Sequence, residues 1–89
     1  MRGANAEQAE IVALSALGFL ATAPGALERL MEQSGLDAAT LKLRAADRDF
    51  QGAVLDFLLA NEALLVDFCQ TTQTEPRAVQ MANHILSRR

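Results

Sequence analysis

The chain has 89 residues, a formal charge of −3 and an isoelectric point near 4.9. That length fits one domain with one modest core, and the acidic balance argues against a protein that lives by contacting phosphate backbones. Hydrophobic residues make up 51% of the chain while Trp and Tyr are absent, so Leu, Ala, Val, Ile, Met and four Phe must build the core, a palette that favours helices over sheets.

A first helix is expected from Asn5 or Ala6 to about Thr22, with Glu7 and Glu10 in its opening turns, where acids suit the helix dipole. Leu14, Leu17, Phe19 and Leu20 form its inward stripe, Ile11 extends that stripe by a turn, and Gly18 marks a close helix crossing. The apolar run Ile11 to Ala23 imitates a signal peptide, but its flank is acidic rather than positive, and it is too short for a membrane span. Pro24-Gly25 closes this helix. A second runs from there to Ser34 with Leu27, Leu30 and Met31 on one face, and Gly35 supplies a left-handed C-terminal cap.

Asp37 is the expected N-cap of a short helix from Ala38 to Ala45. After a connector in which Asp47 or Asp49 caps the next element, a fourth helix from Phe50 to Ala60 is apolar over more than half its circumference and should be the most buried. Asn61 is the expected cap of a fifth helix, Glu62 to Thr71, which aligns Leu64, Leu65, Phe68 and Cys69. Thr74-Glu75-Pro76 opens a sixth with Val79, Ala82, Ile85 and Leu86 at helical spacing, and Arg88 and Arg89 suit a fraying end.

Leu17, Phe19, Leu20, Leu27, Leu30, Asp37 and Leu41 recur 38 residues later as Leu55, Phe57, Leu58, Leu65, Phe68, Glu75 and Val79. The fold expected is therefore all-α: a compact bundle of five to six short helices, made of two pseudo-repeated three-helix units at about 6–45 and 47–88 within a single domain, 1–89. Phe19 and Phe57 should take equivalent buried places, as should Leu27 and Leu65.

Chemistry is sparse. With one Cys and one His there is no metal set of useful spacing, no sequence-adjacent Cys-His pair and no glycine-rich phosphate loop, so no catalytic residue, metal or cofactor is assigned. Cys69 reads as a small core residue and its isolation leans toward a reducing cytoplasm, while His84 suits the end of its helix. Leu27 to Ala45 imitates a DNA-binding helix-turn-helix, but Met31 stands where a small residue belongs and only Lys42 and Arg44 are offered to a groove.

The strings Ala16-Leu17-Gly18-Phe19-Leu20-Ala21, Gly35-Leu36-Asp37-Ala38-Ala39-Thr40-Leu41, Arg44-Ala45-Ala46-Asp47 and Val54-Leu55-Asp56-Phe57-Leu58-Leu59 together resemble a family of short proteobacterial proteins classed as a domain of unknown function. The resemblance spans roughly Ala13 to Met81. In related sequences Pro often follows the Asp of the Leu-Asp turn; here Ala38 stands in the first copy and Thr74-Glu75-Pro76 replaces the turn in the second. The resemblance implies a cytosolic bacterial protein and carries no activity or site residue with it.

Subtraction leaves a noncatalytic protein–protein interaction or self-association module as the leading expectation, its partner an unidentified protein or a second copy. Met31, Leu43, Leu59 and Val66, at the edges of the inward stripes, form its candidate surface. The alternatives are a helix-turn-helix nucleic-acid binder and, behind it, an enzyme with an acidic pocket between the units built from Asp56 and Asp67 or His84. No membrane association is expected.

Overall fold

A computed structural model describes residues 2–87, with side chains from residue 6 onward. Arg88 and Arg89, expected to fray, lie outside the described residues. Six helices follow in order: α1 (Arg2–Thr22), α2 (Ala26–Ser34), α3 (Ala38–Arg44), α4 (Arg48–Ala60), α5 (Glu62–Thr72) and α6 (Pro76–Ser87). At 1.5 Å per residue α1 is about 31 Å long, close to the longest dimension of the bundle, 36 Å.

The turns form where the side chains dictate. The carboxylate of Asp37 accepts the N–H of Thr40 at 2.8 Å, and that of Asp47 accepts the N–H of Asp49 at 2.9 Å, so both act as helix caps. Gly35 takes the left-handed conformation, φ 74°, and its N–H bonds back to the carbonyl of Met31. Asn61 differs from its expected role. It makes no side-chain cap for α5; its amide instead donates to the carbonyl of Phe57 at 2.7 Å, where it covers the end of α4.

The core lies where α1, α4 and α6 meet. As its composition requires, α4 is the most buried helix, with Phe50, Val54, Leu55, Phe57 and Leu58 all inside. Two polar clamps fix α6 on α4. The Arg48 guanidinium donates to the carbonyl of Ile85 at 2.9 Å, and the Asn83 amide reaches both the Gly52 carbonyl at 3.2 Å and the Asp56 carboxylate at 2.9 Å. Phe68, fully buried on α5, meets Phe19 edge-on with ring centroids 5.6 Å apart, a pair worth about 0.5–1.5 kcal/mol beyond its buried area.

The inner face of α1 corrects the expected stripe. Ala9, Ala13, Ala16 and Leu20 are buried, while Leu14 and Ile11 are 46% and 58% exposed. Small side chains at one-turn intervals let α1 approach α6 and α4 closely, and that packing outweighs the greater apolarity of Leu14 and Ile11. Gly18 marks no crossing either: it is exposed, and a methyl group there would meet nothing within 4 Å.

The 38-residue spacing reappears in the helix ends. Thr22 and Ala60, Ser34 and Thr72 each end a helix, and Ala38 and Pro76 each begin one. The hydroxyls of Ser34 and Thr72 donate to the carbonyls of Leu30 and Phe68, both at 2.8 Å. Leu36 and Thr74 donate their N–H groups to the carbonyls of Met31 and Cys69. Gln73, equivalent to Gly35, shares its left-handed backbone at φ 56°. Phe57 is buried and Phe19 half-buried, while Leu27 and Leu65 are both half-buried. Packing of the third helices does not follow the same correspondence. α6 lies along both α1 and α4, whereas α3 touches the other helices only lightly.

Candidate functional site

Three positions on one face of α6 explain the surface beside it. Val79, Ala82 and Leu86 point into the core, which turns Met81 outward at 59% exposure and leaves Ile85 half-buried toward α1. On α1 the same geometry buries Ala9 and Ala13 and leaves Val12 half-buried beside them. Between the two helices runs a shallow groove of about 140 Å³, lined by Gln8, Ala9, Val12, Met81, Ala82 and Ile85 among others. Apolar atoms dominate its walls, and Ile11 stands exposed next to Val12.

The two helices that border this groove differ in charge, although none of the described charged side chains lines it. From Ala6 to Thr22, α1 bears Glu7 and Glu10 and no base; α6 bears Arg77 and His84 and no acid. Glu7 lies one turn before Ile11, and Arg77 one turn before Met81, so each exposed apolar side chain has a charged neighbour on its own helix face. Among the described residues neither Glu7, Glu10 nor Arg77 takes part in an ion pair; the Arg44–Asp47 pair, at 2.8 Å, lies elsewhere.

Of the four residues expected to form a surface, two are half-buried and two exposed. Met31 and Leu59 are half-buried and pack against the core. Leu43 on α3 is 83% exposed and Val66 on α5 is 47% exposed, on two helices with little or no mutual contact. Met81 lines the groove, and Ile11, expected to face inward, is exposed on α1. A usable signal was present: Ala9, Ala13, Ala16 and Leu20 follow helical spacing as well as Leu14 and Leu17 do, and alanines belong at the closest helix contacts.

A second concavity lies between α2 and α4. It is an open cleft of about 350 Å³ whose lining includes Gln33, Asp56 and Phe57. Of the acids and histidine expected in a pocket between the units, only Asp56 reaches it, and Asp56 already accepts a hydrogen bond from Asn83; Asp67 and His84 are exposed and outside its lining. The Arg29 guanidinium sits 5.9 Å from the Phe57 ring centre beside this cleft. Cys69 is half-buried, and burial pushes its thiol above the ordinary range. No cluster of three or more His, Cys, Asp or Glu side chains able to hold a metal occurs among the described residues. None of their single helices is long and apolar enough to cross a membrane.

No curated protein and no solved structure matches the chain. One family model does, across residues 6–89, from the acidic opening turns of α1 through both walls of the groove. The chain therefore belongs to the family described as Protein of unknown function (DUF3572).

Proposed function

We propose that this chain is a noncatalytic protein–protein interaction module that docks through the groove between α1 and α6. The supporting observation is Met81, 59% exposed on the wall of an apolar groove, with a further large apolar side chain, Ile11, 58% exposed elsewhere on α1. Keeping a large apolar side chain partly in water forfeits part of the about 1.5–3 kcal/mol that full burial brings, and the helices holding these two are fixed in place by buried neighbours. The module is read as the product of duplicating a three-helix unit, on the strength of the hydrogen bonds and helix ends that recur 38 residues apart. A bacterial cytoplasm is the proposed location, because the single cysteine is half-buried and has no second cysteine to pair with.

The helix-turn-helix reading finds less support. Of the two cations on α3, Arg44 is engaged by Asp47 at 2.8 Å, leaving Lys42 alone for a phosphate backbone.

Affinity capture at native abundance tests the proposal, comparing the tagged chain with its Met81→Asp variant and scoring every enriched protein, untagged copies of the chain included. A partner lost from the variant supports the docking groove. An unchanged or empty set of partners overturns it.

A further inference from the structure

We infer that α3 is a latch: it unfolds and re-forms locally while the rest of the bundle stays closed. The helix 38 residues further on shows what holding a short helix in place takes. α6 buries Val79, Ala82 and Leu86. α4 also grips it twice, through Arg48, which donates to the Ile85 carbonyl, and through the Gly52 carbonyl, which accepts from Asn83. α3 buries Leu41 alone among its seven residues and touches the other helices only lightly. A helix of that length has no stability of its own in water, so Leu41 carries most of its attachment. The Arg44–Asp47 pair adds little, because both side chains are in part solvated.

One buried group works against the closed state. Gln51 is 3% exposed, and its amide donates to the carbonyl of Ala45, at the C-terminal end of α3, at 3.0 Å. Its Oε1 is buried without a donor among the described residues. An acceptor held in this way forgoes the hydrogen bond that water would give it. Releasing Ala45 lets water reach the amide, so the cost falls on the closed state alone. The neighbouring helices meanwhile keep their ends. α2 is closed by the N–H groups of Gly35 and Leu36 on the Met31 carbonyl and by the Ser34 hydroxyl on that of Leu30. α4 begins on the bond from the Asp49 N–H to the Asp47 carboxylate. None of these bonds uses a residue of α3. Opening therefore stops at Gly35 and Asp47, and it places Leu41 in water with Leu43, each followed by a base, Lys42 and Arg44. Elements that change shape are drawn from such low-stability segments.

The test is native-state hydrogen exchange of the whole chain, followed by NMR across a urea series below the unfolding transition. The Leu41 N–H, bonded to the Asp37 carbonyl at 2.9 Å, should exchange together with those that follow it to Arg44. Corrected for intrinsic rates, these amides should exchange at least about 100-fold faster than those of Leu55 and Leu58 in α4. Urea should leave the α3 rates nearly unchanged and raise the α4 rates steeply, because its effect scales with the surface each opening exposes. Val79→Ala, at a fully buried position of α6, weakens the bundle equally whether α3 is open or closed. It should speed the α4 amides about tenfold and leave those of α3 as they were. Equal protection and equal urea slopes in α3 and α4 overturn the inference, and so does a Val79→Ala variant in which both accelerate alike. If that variant does not fold, the wild-type urea series decides alone.

Discussion

Gly35 and Gln73 occupy equivalent turns with the same left-handed backbone, φ 74° and 56°, but one is glycine and the other is not. An L side chain in this conformation costs roughly 1–2 kcal/mol. Replacing glycine also removes freedom from the unfolded chain, which returns about 0.4–1 kcal/mol. Gly35→Ala should therefore destabilise the protein by about 0.5–1 kcal/mol, and Gln73→Gly should stabilise it by a similar amount. Contact adds nothing at Gly35, since a methyl group there meets no atom within 4 Å. In a domain of this size 1 kcal/mol corresponds to about 4–8 °C in melting temperature, so thermal melts and urea titrations resolve both effects. The double variant should return close to wild type. A Gln73→Gly variant that is neutral or less stable, or a harmless Gly35→Ala, would refute the attribution to backbone conformation.

Phe68→Ala, which empties a fully buried site beside Phe19, should cost about 3–5 kcal/mol, whereas Leu43→Ser at 83% exposure should stay within about 0.5 kcal/mol; urea midpoints compare the two. Gly18→Ala, in open space on α1, should stabilise by about 0.5–1 kcal/mol, and a loss of stability would restore Gly18 to a close crossing. The N–H of Thr40 holds the Asp37 carboxyl below the ordinary carboxylate range, and the N–H of Asp49 does the same for Asp47. Folded carboxyls so placed bind protons less readily than unfolded ones. Their stabilisation is complete above the unfolded values near 4, and it is lost as pH falls through the lowered folded values. Asp37→Asn with Asp47→Asn, which keep an acceptor but lose the charge, should flatten the acid side of the stability profile. Alkylation of Cys69 by iodoacetamide should begin at higher pH than for a free thiol, near 8.5, because burial raises its thiol; reaction at or below neutral pH would contradict that.

Local chemistry was legible in the sequence wherever a single residue decides a turn. Asp37, Gly35 and Pro76 fix their helix ends through one hydrogen bond, one left-handed backbone or one missing N–H, and none of these depends on distant contacts. The burial of α4 was legible too, since a helix apolar over most of its circumference has no polar face to offer water. The face of α1 was not. Hydropathy favours Leu14 and Ile11 as inward residues, but the outcome depends on how closely α6 and α4 approach, and only Ala9, Ala13 and Ala16 allow that distance. The exposure of Ile11 was hidden for the same reason: turning α1 inward on its alanines turns Ile11 outward, and no periodicity within α1 records where α6 will lie. Gln51 shows the same limit on a smaller scale. It is 3% exposed on α4 and donates to the carbonyl of Ala45, a tie that exists only because the connector folds back over the helix start.

Asn61 is the whole connection between α4 and α5, and the other four connections are three residues each. Such joints leave no slack to absorb a change in chain length. One residue inserted at the start of α5 would rotate everything after it by about 100° about the helix axis and swing Phe68 away from Phe19. Insertions and deletions should therefore be far more disruptive than substitutions across residues 23–75, and length variation in this family should concentrate at the two ends of the chain, where no later helix depends on the register.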